Sequence, residues 1–170
     1  MKNNIYFFAL ITLSLFTISC GNDDDSSPSS DESPASFIES NDVTDELVVA
    51  EVSYYGEIDE TGIYDFAIYL DTSTDNSNTK TIGLSFHSST PNVLAPGTYN
   101  FGNTVEAFIF NAGEFIDNTG PYYITDDIVR GSVTIIKGET DYYELTFDCT
   151  GRSARKFIGQ YYGAVELRVF

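Results

Sequence analysis

The sequence predicts an all-β protein: a single antiparallel domain of about nine strands, closed as a sandwich or as a flattened meander barrel. Between residues 46 and 170, apolar side chains alternate with polar ones over short runs. Clusters of Gly, Asn, Asp and Pro separate these runs, as is typical of turns. No stretch shows the 3.6-residue period and capping residues of an amphipathic helix. Both closures require the same alternation, so the choice between them stays open.

The predicted strands of the first half show which side chains face the core. In the run 81–87, Ile82, Leu84 and Phe86 form an apolar face, and the opposite face carries only small or polar residues. A proline-rich loop follows and ends in a Pro-Gly turn. The strands predicted here are 47–55, 63–71, 81–87, 98–101 and 105–110.

The second half begins with an interruption at residues 113–121 and a short edge strand at 122–124. Four consecutive strands are then predicted, because apolar alternation and turn residues follow each other regularly. A tight bend at Gly163 is expected to join the last two. These four strands are 129–137, 142–149, 156–162 and 164–170.

The start of the chain predicts a signal peptide over residues 1–19. Lys2 precedes an apolar run of about a dozen residues, whereas a membrane-spanning helix needs roughly twenty. The run gives way to small residues and then to Cys20. A cysteine at this boundary is placed to accept a lipid.

The residues Ile18, Ser19 and Cys20 resemble the lipobox of bacterial lipoproteins. The resemblance implies that the Cys20 thiol is diacylated, and that the signal is cut before it. Two or three acyl chains hold a protein stably on a membrane, whereas one holds it marginally. The expected membrane contact is therefore an N-terminal lipid.

Three acidic residues directly behind this cysteine, Asp23, Asp24 and Asp25, resemble the export signal of lipoproteins of Bacteroidota. In that family such a run directs the protein to the outer face of the outer membrane. The resemblance implies a lipid-anchored protein of the outer membrane that faces the cell exterior.

Residues 20–45 are expected to form a disordered tether, because Ser, Pro, Asp and Glu predominate and few apolar residues are present. A flexible segment of this length has a root-mean-square reach of roughly 28 Å. The domain is then expected at 46–170. Phe37 and Ile38 leave one alternative open, in which they form the first edge of the folded unit.

Charge excludes one class of partner. The chain has 26 Asp and Glu against 8 Lys and Arg, a formal net charge of −18. Nucleic-acid binding draws on clustered Lys and Arg, so no nucleic acid is expected as a partner. No cofactor motif is present, and none is expected to bind.

For two residues with reactive side chains, the sequence predicts structural rather than catalytic roles. Cys149 lies in the apolar alternation of its strand, which predicts a buried thiol that behaves as a small hydrophobe. If Cys20 carries lipid, no internal disulfide is expected. The single histidine, His87, is two residues from Ser85 on one strand face, about 6.6 Å at Cα, too far for a nucleophile–base pair. A surface histidine is expected.

Acidic residues offer one weak metal candidate. Asp71, Ser73 and Asp75 place oxygen atoms at alternate positions, loosely as in a calcium loop, but the central Gly and closing Glu of an EF-hand are missing. A polar hairpin loop is the favoured interpretation, and no metal is expected. Asp126 and Asp127 are adjacent, so on a strand they point to opposite faces and cannot flank one bond.

Tyrosine is abundant, with 12 Tyr, 13 Phe and no Trp. Adjacent Tyr pairs on strands place one ring inward and one outward. Outward rings can line a sugar- or protein-binding surface, although strand propensity also explains them. The candidate ligand-binding residues are Tyr55, Tyr123, Tyr142 and Tyr162.

Four stretches of the second half resemble the recurring all-β domain of uncharacterised Bacteroidota surface lipoproteins. That family brings no established activity, and implies location and fold class. The expected function is therefore a non-catalytic binding, adhesion or accessory module with a protein or glycan partner. A hydrolase of polymeric substrates and a small barrel that binds an apolar ligand are the alternatives. The four stretches are 94–99, 131–135, 143–148 and 159–164.

Overall fold

The computed structural model describes residues 35–75 and 77–170, and its secondary structure is all β. The prediction of an all-β fold is confirmed, but this described part of the chain contains eleven strands rather than about nine. In the described residues no helix is long and apolar enough to cross a membrane. The strands are β1 (Phe37–Ser40), β2 (Val43–Glu46), β3 (Val49–Glu57), β4 (Tyr64–Asp71), β5 (Lys80–Ser88), β6 (Gly97–Phe101), β7 (Ile109–Asp117), β8 (Ile124–Gly138), β9 (Tyr142–Gly151), β10 (Lys156–Ala164) and β11 (Glu166–Val169).

All eleven strands belong to one sheet. Its order is β11-β3-β4-β5-β7-β6-β8-β9-β10-β1-β2, and β7 also pairs with the first part of β8. The short strand β6 therefore lies between β7 and the later part of β8. Most neighbours are antiparallel, but β11 is parallel to β3 and β6 is parallel to β7.

The sheet curls around a single core. The rings of Phe115 on β7 and Phe157 on β10 lie 4.7 Å apart between centroids. Along a flat sheet these strands would be three spacings apart, about 14 Å. The contact therefore requires the two halves of the sheet to face each other. Phe115 and Phe157 are both 1% exposed or less, as expected of ring pairs in a packed interior.

Two short connections join strands from opposite ends of the sheet order. β11 follows β10 after the single residue Val165, although the two strands lie far apart in the sheet order. In the same way β3 follows β2 after Leu47 and Val48. Gly163 lies inside β10 rather than at a hairpin bend, so the expected meander of the last two strands is wrong. The chain continues past Val165 and pairs with β3 because curling has brought that strand alongside.

Folded structure begins earlier than expected, which corrects the tether boundary. β1 lies within the range 20–45 and pairs with β10, and β2 begins within it at Val43. Ile38 is 2% exposed, and the Leu47 N–H donates to the carbonyl of Ser36 at 3.0 Å. The alternative in which Phe37 and Ile38 form an edge of the folded unit agrees with this arrangement. Pairing with the distant strand β10 orders β1, whereas the local composition of this segment predicted disorder.

The middle of the chain also differs from expectation. β7 runs through Gly113, where an interruption was predicted, and the residues before Ile109 form a loop. A Cβ on Gly113 would lie 2.9 Å from the Phe110 ring and 3.1 Å from Ile128. Gly113 is therefore needed because neighbouring side chains pack closely against the strand, and it does not mark a turn. Tyr122 and Tyr123 lie just before β8, so the short edge strand is wrong.

The core contains the side chains that alternation predicted. Ile82, Leu84 and Phe86 on β5 are all 1% exposed or less, and the inward residues of β4 are similarly buried. Cys149 is 0% exposed and is a free thiol, which confirms the prediction of a buried cysteine. Strand alternation therefore assigned these faces correctly.

Candidate functional site

The outward face of β3, β4, β5 and β7 contains a row of small residues. Ser53, Ala67, Ser85 and Ala112 are register partners across these four neighbouring strands. Small side chains leave a depression where larger neighbours stand on either side. Ser53, Ser85 and Ala112 line a shallow hollow that runs across these strands, whereas Ala67 is 1% exposed and is not among its lining residues.

A second row of register partners lies beside it and extends to a fifth strand. Its members are Glu51, Tyr69, Gly83, Glu114 and Asp127. From β3 to β8 this row crosses four strand spacings, about 19 Å. Because the row contains one aromatic ring, one glycine and three carboxylates, it supplies both apolar and hydrogen-bonding groups.

The surface hollow on this face has two adjoining parts, with volumes of about 280 and 500 Å³. Tyr69, Thr81 and Ile116 line both parts, so the hollow is continuous across them. We call it the outer trench. Its dimensions fall in the range of small-molecule and chain-binding clefts.

Tyr69 forms the centre of the outer trench. A Cβ on Gly83 would lie 3.0 Å from Tyr69 Cε1 and 3.1 Å from Cδ1, so the ring lies directly over that glycine. The residue is nevertheless 36% exposed. The absence of a side chain at Gly83 therefore lets the ring rest on the sheet with part of its surface open to solvent.

A second aromatic group stands at the β3 end. The rings of Tyr55 and Phe170 are stacked, with centroids 5.3 Å apart and planes inclined by 18°. Both residues line the larger part of the outer trench, as does Tyr123. Phe170 is 74% exposed and Tyr123 64%, so these rings offer apolar area to a ligand.

The side chains of Tyr69 and Tyr55 interact through a hydrogen bond. Hydrogen bonding with Tyr55, burial and the nearby Glu51 carboxylate together raise the pKa of Tyr69 to about 12. The Tyr69 phenol therefore stays neutral at physiological pH. Its hydroxyl can donate to and accept from a ligand.

Four carboxylates line the outer trench, and three of them form ion pairs or hydrogen bonds with neighbouring groups. The four belong to Glu51, Asp71, Glu114 and Asp127. Glu51 pairs with Arg168 at 2.9 Å and accepts from the Ser53 hydroxyl at 3.2 Å. Asp127 pairs with Arg152 at 2.9 Å. Asp71 accepts a hydrogen bond from the Thr81 hydroxyl.

No Lys or Arg is among the described residues that line the two parts of the outer trench. Its surface therefore offers mainly acidic and neutral groups, with oxygen acceptors in excess of donors.

The structure brings together two of the four tyrosines proposed from the sequence. Tyr55 and Tyr123 line the outer trench. Tyr142 lies apart on β9, with the Lys137 ammonium 4.9 Å from its ring centroid. Tyr162 lies on β10, where its N–H donates to the Ser36 hydroxyl at 2.9 Å. Tyr69 was not among the four tyrosines proposed from the sequence. Its position on β4, which alternates with the inward residues of that strand, indicated a ring on the outward face.

His87 is buried, so the expectation of a surface histidine is wrong. The residue is 6% exposed, and its Nδ1 lies 3.0 Å from the carbonyl oxygen of Thr104. The Phe108 N–H also donates to the His87 carbonyl at 2.9 Å. The segment between β6 and β7 thus contacts the strand face that alternation had assigned to solvent. Burial raises the pKa of the cross-strand neighbour Asp65, and His87 partly opposes this rise.

The weak calcium candidates are engaged in local hydrogen bonds. Ser73 Oγ accepts from the Asp75 N–H at 3.0 Å. Asp75 Oδ1 accepts from the Ser77 N–H and hydroxyl, which lowers the Asp75 pKa. Asp71 is on β4 and belongs to the outer trench. Among the residues that the structure describes, no group of three His, Cys, Asp or Glu side chains is arranged to hold a metal ion.

Cys20 and the acidic residues Asp23, Asp24 and Asp25 lie outside the described residues, and so does the signal peptide. Lipid attachment and export therefore stay predictions. Comparisons of the chain with protein-family models, with curated proteins and with solved structures find no match.

Proposed function

We propose that this chain is a lipoprotein of the outer membrane, anchored through Cys20 and facing the cell exterior, whose β domain is a non-catalytic binding module. The proposal that the β domain is a binding module rests on the outer trench. It combines exposed aromatic rings with hydrogen-bonding groups from five strands, which is the usual chemistry of a binding cleft. Anchoring is supported by the sequence of residues 1–25.

Binding is favoured over hydrolysis by the state of the carboxylates. Glycoside hydrolysis uses a pair of carboxyl groups, one as acid and one as base or nucleophile. Glu51 and Asp127 are instead neutralised by arginines, and Asp71 holds a hydroxyl. A surface hydrolase is the second candidate, since these acids come from separate strands. Release of new reducing ends from a polysaccharide, lost in Glu114→Gln, would favour it.

The third alternative, an interior site for an apolar ligand, is disfavoured by the core. We infer that the curled sheet acts as a flattened barrel, because β11 continues β10 and pairs with β3. Aromatic rings from different strands meet inside it, with Phe86 and Tyr99 at 5.3 Å and Phe115 and Phe157 at 4.7 Å. Small barrels of this kind are filled by their own side chains.

The anchoring part is tested with Cys20→Ala in intact cells. We expect the wild-type protein in the membrane fraction and the variant released from it. Protease added outside should digest the wild-type domain in intact cells, with lysed cells as the control. Membrane attachment of the variant would contradict the lipid anchor. Protection from protease that is lost on lysis would contradict the outward orientation.

A further inference from the structure

The outer trench has the chemistry of a site for an uncharged polysaccharide. Tyr69 lies over Gly83, exposed on one side, at the middle of a row that spans five strands. Sugar rings offer apolar C–H faces to aromatic rings, and their hydroxyls donate to oxygen acceptors. A trench about 19 Å long accommodates several sugar rings in a row.

Charge selects among polysaccharides. Glu51, Asp71, Glu114 and Asp127 line the outer trench, and its described lining contains no Lys or Arg. The whole chain carries a net charge of −18. Arg168 and Arg152 are already paired with Glu51 and Asp127, so Asp71 and Glu114, for which the described residues show no ion pair, would repel uronate, sulfate or phosphate groups. Neutral sugars avoid this repulsion and satisfy the carboxylate oxygens through their hydroxyls.

We propose that the outer trench binds a neutral polysaccharide chain laid across β3, β4, β5, β7 and β8, with one sugar ring stacked on Tyr69. This inference rests on the proposed binding function and names the ligand class of the same site. Tyr55 and Phe170 extend the apolar surface at one end. Glu114 and Asp127 provide acceptors at the other.

Affinity electrophoresis of the purified full-length protein tests this inference. Gels contain a neutral glucan, mannan or xylan, and anionic controls contain polygalacturonate or dextran sulfate. A zwitterionic detergent keeps the lipid-bearing protein soluble without adding a competing sugar. We expect retardation by at least one neutral polymer and none by the anionic ones. Retardation by no neutral polymer, or equal retardation by anionic ones, would overturn the inference.

Three variants assign the binding to the trench. Tyr69→Ala should weaken binding at least tenfold, and Tyr69→Phe should keep most of it because stacking needs the ring and not the hydroxyl. Gly83→Ala places a methyl group 3.0 Å from the ring, so the ring has to shift and binding should weaken although the tyrosine is retained. Circular dichroism of each variant checks the fold.

Tyr122→Ala is the matched control, because Tyr122 is 79% exposed and is absent from the trench lining. It should bind like wild type. Equal effects of Tyr69→Ala and Tyr122→Ala would overturn the inference. Failure here differs from failure of the anchor, since a protein that stays on the cell surface but binds no neutral polymer contradicts only the ligand class.

Discussion

The phenolic oxygen of Tyr143 on β9 accepts a hydrogen bond from the backbone N–H of Leu94 at 2.9 Å. The same loop is held by Tyr99, whose hydroxyl donates to the carbonyl of Ala95 at 2.9 Å. Leu94 is 0% exposed. Buried loops need such partners, because their backbone groups have no water to bind. Two core tyrosines therefore fix the segment that leads into β6.

Tyr143→Phe removes this acceptor and leaves the buried Leu94 N–H without its partner. We expect the free energy of unfolding to fall by about 1–3 kcal/mol, measured by urea denaturation. Tyr142→Phe is the control, because Tyr142 is on the opposite face of the same strand and is only half-buried. Its effect should stay within about 0.5 kcal/mol. Similar losses in the two variants would show that the hydroxyl of Tyr143 has no special role.

Alkaline pH should destabilise the domain. Burial raises the pKa of Tyr143 from 10.0 to about 12 and that of Cys149 from 9.0 to about 12. The folded state therefore holds these protons more tightly than the unfolded state. This stabilisation is fully present below pH 9 and is lost as pH rises through about 12. Urea titrations across this window should show decreasing stability, with a shallower decline above pH 10 for Tyr143→Phe. Stability that is independent of pH in this window would contradict the shifts.

The Cys149 thiol should be inert in the folded protein. Cys20→Ala leaves Cys149 as the single cysteine of the chain, since the sequence has 2. The side chain is 0% exposed, and its raised pKa keeps it protonated. A disulfide reagent at pH 8 should therefore label it only as urea unfolds the protein, because the thiolate is the reactive form. Rapid labelling without urea would contradict the burial.

Adjacent aspartates should differ strongly in their contribution to stability. Asp126 is 6% exposed, and its carboxylate accepts hydrogen bonds from the Ser153 N–H, at 3.0 Å, and from the Ser153 hydroxyl. Asp126→Ala leaves these donors unpaired and should lower the free energy of unfolding by about 2–3 kcal/mol. Asp127→Ala breaks only the exposed pair with Arg152, worth about 0–1 kcal/mol. The reverse order in thermal or urea unfolding would refute this assignment.

Gly131 should tolerate no side chain. It has a φ of +135°, and a Cβ would lie 2.4 Å from the carbonyl oxygen of Asp148 on β9. Gly131→Ala is therefore expected to lower the free energy of unfolding by about 3 kcal/mol. Gly120→Ala, where the nearest atom is 4.0 Å away, should change it by about 0.5 kcal/mol or less. Comparable denaturation midpoints for both variants would contradict the close approach of β8 and β9.

Local pattern predicted much of the fold but misplaced two features that depend on distant partners. Alternation identified the inward residues of β4 and β5, because side-chain direction in a strand has a period of two. It could not foresee the burial of His87, which requires the loop from β6 to contact β5. Nor could composition show that β1 is ordered, since its pairing partner, β10, lies more than a hundred residues away.

The sequence by itself determined the all-β class, the core faces of the strands and the acidic character of the surface. The tertiary structure alone decided the outer trench, because Ser53, Ala67, Ser85 and Ala112 become neighbours only through the register of four strands. Alternation fixes which face a residue occupies, whereas hydrogen bonding between strands fixes which residues lie side by side. Tyr69 became a candidate binding residue for that reason: Gly83 lies beneath its ring.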